Sequence, residues 1–246
     1  MANDKKVALV TGANRGIGLE TARQLGRNGI TVVVAARSQA AANEAAQQLE
    51  AEGLDVFPIQ LDVTNSADRT AAAKTIFEKF GQLDILINNA GVGAEDGMFA
   101  AKTVETTEEE LQHLFGTNLF SVVAVTREFL PLLKNSSAGR IVNLSSILGS
   151  LTLQSDPQSP IAGIKTFAYD ASKSALNAFT IHLAAELRNT SIKVNSAYPG
   201  WVKTEMGTER ATMEIADGAK TSVQLALIGP EGPNGRFIHL GEELPW

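Results

Sequence analysis

Cysteine is absent from the 246 residues of the sequence. Its absence excludes disulfide bonds, thiolate metal ligands and cysteine nucleophiles, and it favours a cytoplasmic location. The three histidines are scattered, and none forms a His-x-x-x-His or Glu-His pair at metal-ligand spacing. We therefore expect no metal site.

Positive charge and long apolar runs are also scarce. Lysine and arginine number 21 against 27 aspartates and glutamates, and the net charge of -6 gives no electrostatic reason to bind nucleic acid or an anionic membrane. No apolar run is long enough to cross a bilayer, and we recognise no secretory signal before the first predicted strand. With 44% apolar and 20% charged residues the sequence is typical of a globular protein, and its length predicts one domain over residues 1–246.

Strand and helix patterns alternate along almost the whole chain. We predict seven strands, near residues 7–10, 30–35, 56–61, 83–87, 140–144, 192–197 and 236–240. The first predicted helix follows the glycine loop after the first strand and ends at Gly29. The other predicted helices cover about 39–52, 67–80, 105–115, 119–134, 169–188 and 211–227. Strands separated by helices pair in parallel, so we predict an α/β fold with a doubly wound parallel sheet of the Rossmann type in three αβα layers. The polar stretch 149–164 is predicted to be a surface excursion.

The first strand runs into a glycine loop, which reads Thr11-Gly12-Ala13-Asn14-Arg15-Gly16-Ile17-Gly18. Gly12 permits a tight turn, and Gly16 and Gly18 have no side chain, so a pyrophosphate can approach the backbone. The N–H groups of the following helix then face the anion. The spacing Gly-x-x-x-Gly-x-Gly, without a Gly-Lys-Ser/Thr ending, indicates a dinucleotide site and disfavours a nucleoside-triphosphate P-loop.

Polar residues stand directly after three of the later predicted strands. These short runs are Asn88-Asn89-Ala90-Gly91, Ser145-Ser146 and Tyr198-Pro199-Gly200. Open parallel sheets bind ligands beyond the carboxyl ends of their strands, which is where these residues are expected to meet. Each run alone is also explained by a turn or a helix cap. Their common position at one edge of the sheet favours a functional site.

Tyr169 and Lys173 are four residues apart near the start of a predicted helix, so both project from one face of it. A phenol is a poor acid or base near neutrality because its ordinary pKa is about 10. We expect the neighbouring ammonium and the positive end of the helix to lower that pKa and make Tyr169 a usable general acid and base. A serine nearby could hydrogen-bond the reacting oxygen. Tyr-x-x-x-Lys also arises by chance on helices, so the pattern gains weight only beside the other motifs.

The second predicted strand ends Ala35-Ala36-Arg37-Ser38, without the acid that usually reads the ribose of NAD. A carboxylate there would repel a 2′-phosphate, whereas a guanidinium binds it with charge-assisted hydrogen bonds. Arg15 in the glycine loop is a second cation at this end. The pair favours NADP over NAD, and the alternative is that both arginines are solvated surface residues.

Together these motifs resemble the short-chain dehydrogenase/reductase superfamily in its single-domain branch, over nearly the whole chain. The resemblance is carried by the following residues: Thr11-Gly12-x-x-x-Gly16-x-Gly18, Asn88-Asn89-Ala90-Gly91, Asn118, Ser146, Tyr169-x-x-x-Lys173, and Pro199-Gly200 with Thr204. Within the superfamily, the stretch 199–206 and the tail from Gly232 to Trp246 are similar to carbonyl reductases.

The resemblance implies NADP(H) as cofactor, a small-molecule ketone or aldehyde as substrate, and hydride transfer between them. Tyr169 would be the proton donor, Ser146 would hold the carbonyl oxygen, and Lys173 would bind the nicotinamide ribose and lower the pKa of Tyr169. Asn118 would anchor a water of a proton relay, and Asp62 would meet the adenine. The implied cofactor-binding residues are Gly12, Asn14, Arg15, Gly16, Ile17, Gly18, Arg37, Asp62, Val63, Asn89, Ala90, Gly91, Tyr169, Lys173, Pro199, Gly200, Val202 and Thr204.

Ser146 and Tyr169 are 23 positions apart, more than in the ketoacyl-reductase type, and the extra residues are the excursion 149–164. Carbonyl reductases also carry an insertion here, which covers a helix face that other members use to oligomerise, so a monomer and a homo-oligomer both stay open. The expected substrate lid is the segment 201–211 with this excursion, and Trp201, Met206 and Leu148 indicate an apolar pocket.

Two other functions stay open at this point. One is a different dehydrogenase of the same superfamily, acting on hydroxysteroids, sugar alcohols or ketoacyl compounds. The other is a non-catalytic NADP-binding regulator, against which the intact Ser146, Tyr169 and Lys173 argue.

Overall fold

The structure is a computed structural model that describes residues 5–93 and 102–246. Its centre is an eight-stranded sheet with the order β3-β2-β1-β4-β5-β6-β7-β8. The strands are β1 (Val7–Val10), β2 (Thr31–Ala36), β3 (Val56–Gln60), β4 (Ile85–Asn88), β5 (Arg140–Leu144), β6 (Lys193–Ala197), β7 (Phe237–His239) and β8 (Glu242–Glu243). The predicted doubly wound α/β sheet is confirmed.

The sheet departs from the prediction at one edge. All pairs up to β7 are parallel, as expected, but β8 pairs antiparallel with β7. This eighth strand consists of two exposed glutamates directly after Gly241, which adopts a positive φ of 91°. Such a short charged strand has no apolar pattern, so the sequence carries no signal for it.

Eight α-helices lie among the described residues: α1 (Gly16–Arg27), α2 (Gln39–Glu50), α3 (Ser66–Phe80), α4 (Glu108–Phe115), α5 (Ser121–Lys134), α6 (Leu151–Ser155), α7 (Phe167–Glu186) and α8 (Ile215–Ala226). Each predicted helix is present with shifted ends. For example, α4 begins later than predicted because the Thr107 side chain caps it by accepting a hydrogen bond from the backbone N–H of Glu110. None of the described helices combines the length and the hydrophobicity needed to span a membrane.

The core consists of two apolar clusters, one on each face of the sheet. Leu9 of β1 packs in the cluster with Phe129 of α5 and Leu183 of α7, and its neighbour Val10 packs in the opposite cluster with Leu25 of α1 and Val223 of α8. Successive strand residues therefore point into different layers, and both faces of the sheet are buried. This produces the three αβα layers.

The excursion 149–164 is only partly a surface feature. Leu151 is exposed, as predicted for this stretch, but Ile161 is buried and α6 lies within it. The chain's last residues hold it in place, since the Ser150 hydroxyl donates to the Pro245 carbonyl at 2.7 Å and the Thr152 N–H donates to the Trp246 carbonyl at 2.8 Å. These contacts are long-range, and no local pattern predicts them.

Candidate active site

The glycine loop leaves β1 in a turn that only glycine accommodates without strain. Gly12 and Gly16 adopt positive φ angles of 62° and 55°. A Cβ atom on Gly12 would lie 3.1 Å from the Cα of Ala90, whereas a Cβ on Gly16 would meet only the Thr204 methyl group, at 3.7 Å. The backbone at Gly16 is therefore accessible to a ligand, as the sequence predicts for a pyrophosphate site.

Gly18 has a different role from the one expected from the sequence. A Cβ on it would lie 2.4 Å from both the Gly12 carbonyl oxygen and the Asn89 Nδ2. No real Cβ tolerates such an approach, so this glycine lets α1 pack closely against the loop and the end of β4. Its lack of a side chain serves helix packing and does not open a path to a ligand.

Asn89 and Thr11 fasten the end of β4 to the glycine loop. The Asn89 side-chain amide donates to the Thr11 carbonyl at 2.7 Å and to the Gly12 carbonyl at 3.2 Å. In return, the Thr11 hydroxyl accepts hydrogen bonds from the backbone N–H groups of Asn89 and Ala90, both at 3.0 Å. The side-chain amide of Asn89 thus hydrogen-bonds to two carbonyl groups of the glycine loop. Its predicted role as a cofactor-binding residue is supported by its location at the end of β4, beside that loop.

The two arginines expected at the adenosine end lie in different surroundings. Arg15 is exposed and forms a salt bridge with Glu205, which belongs to the segment after β6. Arg37 is exposed at the end of β2 and has no ion pair or side-chain hydrogen bond with any described residue. Its guanidinium is therefore available to a ligand.

Other predicted cofactor residues also lie at the carboxyl edge of the sheet, but some have internal partners. The Asp62 carboxylate accepts hydrogen bonds from the backbone and hydroxyl of Thr64, at 2.9 and 2.7 Å. The Thr204 hydroxyl accepts from the Gly207 N–H at 3.1 Å. The remaining ones are exposed (Asn14), half-buried (Ile17, Gly200) or buried (Val63, Pro199, Val202).

Two of the predicted catalytic side chains, Asn118 and Lys173, flank Gly91, and Tyr169 lies beside Lys173. The Lys173 Nζ lies 5.8 Å from the centroid of the Tyr169 ring, which confirms that both residues occupy one face of α7. Ser146 is close enough to Tyr169 for its hydroxyl to lower the pKa of the phenol. A Cβ on Gly91 would lie 3.2 Å from Asn118 Oδ1 and 3.6 Å from Lys173 Nζ. Glycine at this position therefore keeps the space between these polar groups free.

Asn118 is held in a π-helical turn, Gly116–Phe120, between α4 and α5. Its Oδ1 accepts from the Val92 N–H at 2.9 Å, and its Nδ2 donates to the Val92 carbonyl and to the Ser172 hydroxyl, both at 3.0 Å. Ser172 in turn donates to the Tyr169 carbonyl at 2.7 Å. Asn118 thus reaches Tyr169 through Ser172, a connecting residue that sequence reasoning missed.

Burial shifts the pKa values of Tyr169 and Lys173 in opposite directions. Tyr169 keeps a partly exposed surface, but desolvation of its hydroxyl raises its pKa to about 12, against the lowering effect of the Ser146 hydrogen bond. Desolvation also lowers the pKa of Lys173 to about 8. The expectation that Lys173 and the helix terminus give Tyr169 a lowered pKa is therefore wrong in this structure, because desolvation raises the pKa by more than the Ser146 hydroxyl lowers it.

A network of buried polar side chains connects α7 to the strands that end at the candidate site, and sequence reasoning missed it. The Asn88 amide donates to Asn143 Oδ1 at 2.8 Å, and Asn143 donates to the Thr180 hydroxyl of α7 at 2.9 Å. The Ser145 hydroxyl belongs to the same network, since it donates to Asn177 Oδ1 of α7 at 2.7 Å. These contacts fix α7 against β4 and β5.

Across residues 5–93 and 102–246, no group of three metal-ligating side chains is present.

The buried Lys173 generates a stability prediction. Its Nζ donates to the Leu144 carbonyl at 2.9 Å, and no described carboxylate forms a salt bridge with it. Because its pKa falls from 10.5 to about 8 on folding, the unfolded chain binds more protons between these values, and wild-type stability rises with pH there. We expect Lys173→Met to be more stable than wild type at pH 7, by on the order of 2 kcal/mol, and the difference to shrink between pH 8 and 10.

Denaturant unfolding at pH 7, 8, 9 and 10 measures this difference. The exposed Lys134→Met is the matched control, and its difference from wild type should stay constant over the same range. A Lys173→Met protein less stable than wild type at pH 7 would contradict the prediction.

Comparison with known proteins places this geometry in a family. The family model described as short chain dehydrogenase matches residues 6–215. A short-chain dehydrogenase of Penicillium roqueforti, anuI, is 38% identical over 95% of this chain and 94% of its own length. Carbonyl reductase (NADPH) 1 of Rattus norvegicus is 32% identical over the whole of both chains. An NADPH-bound carbonyl reductase from chicken fatty liver has a TM-score of 0.85 and 27% identity, over 98% of this chain and 99% of its own. The chain therefore belongs to the short-chain dehydrogenase family.

Proposed function

We propose that this chain is an NADPH-dependent carbonyl reductase that converts a ketone or aldehyde to an alcohol. The observation that carries the proposal is that Asn118 and Lys173 flank Gly91 while Tyr169 lies beside Lys173 on the same face of α7. Relatives named as NADPH carbonyl reductases, which align with this chain over their full length, support the same activity.

The residues at the glycine loop fit a dinucleotide. The first turn of α1 contains no acidic residue, and Arg15 at its N-cap makes no side-chain capping hydrogen bond. The N–H groups of this turn are therefore left for an anion, and the open side of Gly16 leads to them. The adenosine would extend toward Arg37, Asp62 and Val63, and the nicotinamide toward Gly91, Lys173 and Thr204.

When bound, NADPH supplies the hydride for the carbonyl carbon. The chain's own residues then complete the reduction at the carbonyl oxygen. Ser146 donates a hydrogen bond to this oxygen and orients it, and the Tyr169 hydroxyl transfers its proton to it. With a pKa of about 12, Tyr169 is protonated at neutral pH, which suits the direction of reduction because the oxidation of an alcohol would begin from the phenolate.

Lys173 and Asn118 would support this proton transfer. The Lys173 ammonium, with a pKa of about 8, is mostly charged at neutral pH and stabilises the phenolate that Tyr169 becomes. Asn118, through Ser172, fixes the backbone of the helical turn that presents the phenol. A water held near Asn118 would return the proton to Tyr169.

The choice of NADPH over NADH rests on the end of β2. Arg37 is exposed and free of described partners, whereas Arg15 is engaged by Glu205. No acidic residue stands at positions 35–38 to repel a 2′-phosphate. Arg37 is therefore the principal reader of that phosphate in this proposal, and Arg15 is the second.

Residues 1–246 form one catalytic domain in this proposal, and its substrate is a small molecule. It leaves both a monomer and a homo-oligomer open. The cytoplasm is the proposed location, because a chain without cysteine is suited to a reducing compartment.

Replacing Tyr169 tests the proton donor. We expect Tyr169→Phe to keep the fold and the affinity for NADPH but to lower kcat by at least ~100-fold, because a positioned general acid is lost. Steady-state NADPH oxidation with an aldehyde substrate gives kcat, and a fluorescence titration with NADPH checks the binding site. Turnover close to that of wild type would remove Tyr169 from the mechanism.

A charge reversal at Arg37 tests the cofactor preference. One charged hydrogen bond contributes about 1.5–3 kcal/mol, which predicts a roughly ten- to hundredfold preference of the wild type for NADPH in kcat/KM. Arg37→Asp should abolish or reverse this preference because it replaces attraction by repulsion. Exposed Arg188 lies beyond the far end of α7, so Arg188→Asp makes the same charge change elsewhere and should leave the ratio unchanged. Equal use of both cofactors by the wild type would contradict the assignment.

A further inference from the structure

The salt bridge between Arg15 and Glu205 joins two segments that are far apart in the sequence. Arg15 belongs to the glycine loop after β1, and Glu205 belongs to the lid segment, residues 201–211, which follows β6. Among the described residues, this is the single ion pair that connects the glycine loop to the lid segment. Both side chains are exposed, at 70% and 77% of their accessible surface, so a ligand from solvent can reach either of them.

The lid segment is folded on itself, so the Glu205 carboxylate is carried by a preformed loop. The Trp201 indole N–H donates to the Gly207 carbonyl at 2.8 Å, and the Gly207 N–H donates to the Thr204 hydroxyl at 3.1 Å. These hydrogen bonds close the loop on both sides of Glu205. A contact made by its carboxylate therefore acts on the whole segment.

The neighbours of Glu205 pack against the cofactor side of the site. A Cβ atom on Gly16 would lie 3.7 Å from the Thr204 methyl group, and a Cβ atom on Gly93 would lie 3.0 Å from Met206 Cγ. The lid segment thus contacts the glycine loop with one residue and the segment after β4 with another. Glu205 lies between these two contacts, beside the loop where the proposed cofactor binds.

A carboxylate and a phosphate are alternative ligands of the Arg15 guanidinium. In the proposed function Arg15 is the second reader of the 2′-phosphate, yet in the structure Glu205 is its partner. A phosphate carries more negative charge than a carboxylate and has more acceptor oxygens, so it binds a guanidinium more strongly. The ion pair with Glu205 is weak because both groups are exposed to solvent. The 2′-phosphate can therefore displace the carboxylate, at the cost of breaking the ion pair.

We propose that Glu205 competes with the 2′-phosphate of NADPH for Arg15 and is thereby a specificity-determining residue that weakens the binding of NADPH but not of NADH. The inference rests on the proposed function, which assigns the 2′-phosphate to this end of the site. When the phosphate binds Arg15, the Glu205 carboxylate turns to solvent and the lid segment loses its ion pair with the glycine loop. NADH has no 2′-phosphate and leaves the ion pair intact. NADPH therefore releases the lid segment, and NADH does not.

The affinity of Glu205→Gln for the two cofactors tests this competition. Glutamine keeps the size of the side chain and removes its charge. We expect the Kd for NADPH to fall about two- to fivefold, which is the range for one exposed ion pair, and the Kd for NADH to stay unchanged. Both constants come from equilibrium titrations at low ionic strength that follow the nicotinamide fluorescence. The gain should shrink at high salt, because salt screens the ion pair.

Arg15→Gln separates competition from simple repulsion of the cofactor. In the double variant, Glu205→Gln should no longer change the Kd for NADPH, because no guanidinium is left to compete for. Glu209 is an exposed carboxylate of the same lid segment and forms no salt bridge with Arg15. Glu209→Gln is therefore the matched control, and it should leave the affinity for both cofactors unchanged.

The other outcomes overturn the inference. A gain that persists in the double variant, that is equal for NADH, or that Glu209→Gln reproduces would mean general repulsion. A weaker affinity of Glu205→Gln for NADPH would mean that Glu205 orients Arg15 toward the phosphate, and an unchanged affinity would mean that the two do not compete. The proposed function survives each of these results, whereas wild-type protein that bound neither cofactor would overturn the function and the inference together.

Discussion

The parallel register of the central strands is the constraint on which the site depends. Asn88 pairs with Asn143 and Leu144 pairs with Ala197, so the residues that follow β4, β5 and β6 emerge side by side at one edge. A slip of one residue would turn every side chain to the other face of the sheet. The buried contact from Asn88 through Asn143 to Thr180 holds this register where the strands end and ties α7 to it. The positions of Ser146 and Tyr169 relative to each other follow from these contacts.

The site keeps polar groups in a poorly solvated place, and this is consistent with its proposed chemistry. Lys173 is buried with only the Leu144 carbonyl as a described hydrogen-bond partner, and Tyr169 has a raised pKa. A protein selected for stability alone gains nothing from an unpaired buried ammonium. Such groups interact strongly with charge that develops on a reacting oxygen, because little solvent screens them. The stability cost and the catalytic role then have the same physical origin.

Much of the fold and of the site could be predicted from the sequence, because the informative residues act locally. Glycines 12 and 16 need a backbone conformation that other residues avoid, and the four-residue spacing of Tyr169 and Lys173 fixes their common face. Features that depend on tertiary contacts escaped the prediction. The tight packing at Gly18, the π-helical turn at Asn118 and the connecting hydroxyl of Ser172 arise only when distant segments meet. The raised pKa of Tyr169 escaped for the same reason, since burial is a property of the assembled fold.

Isotope transfer tests carbonyl reduction, the central claim, most directly. Wild-type protein would be incubated with NADPH carrying deuterium on both hydrogens at C4 of the nicotinamide, together with an aldehyde or a ketone, and the alcohol would be analysed by mass spectrometry. The account predicts one deuterium per molecule of alcohol, bound to the former carbonyl carbon, in an amount equal to the NADPH consumed. NADPH that stays unoxidised over a panel of ketones, aldehydes, quinones and acyl thioesters, or an alcohol without the label, would contradict it.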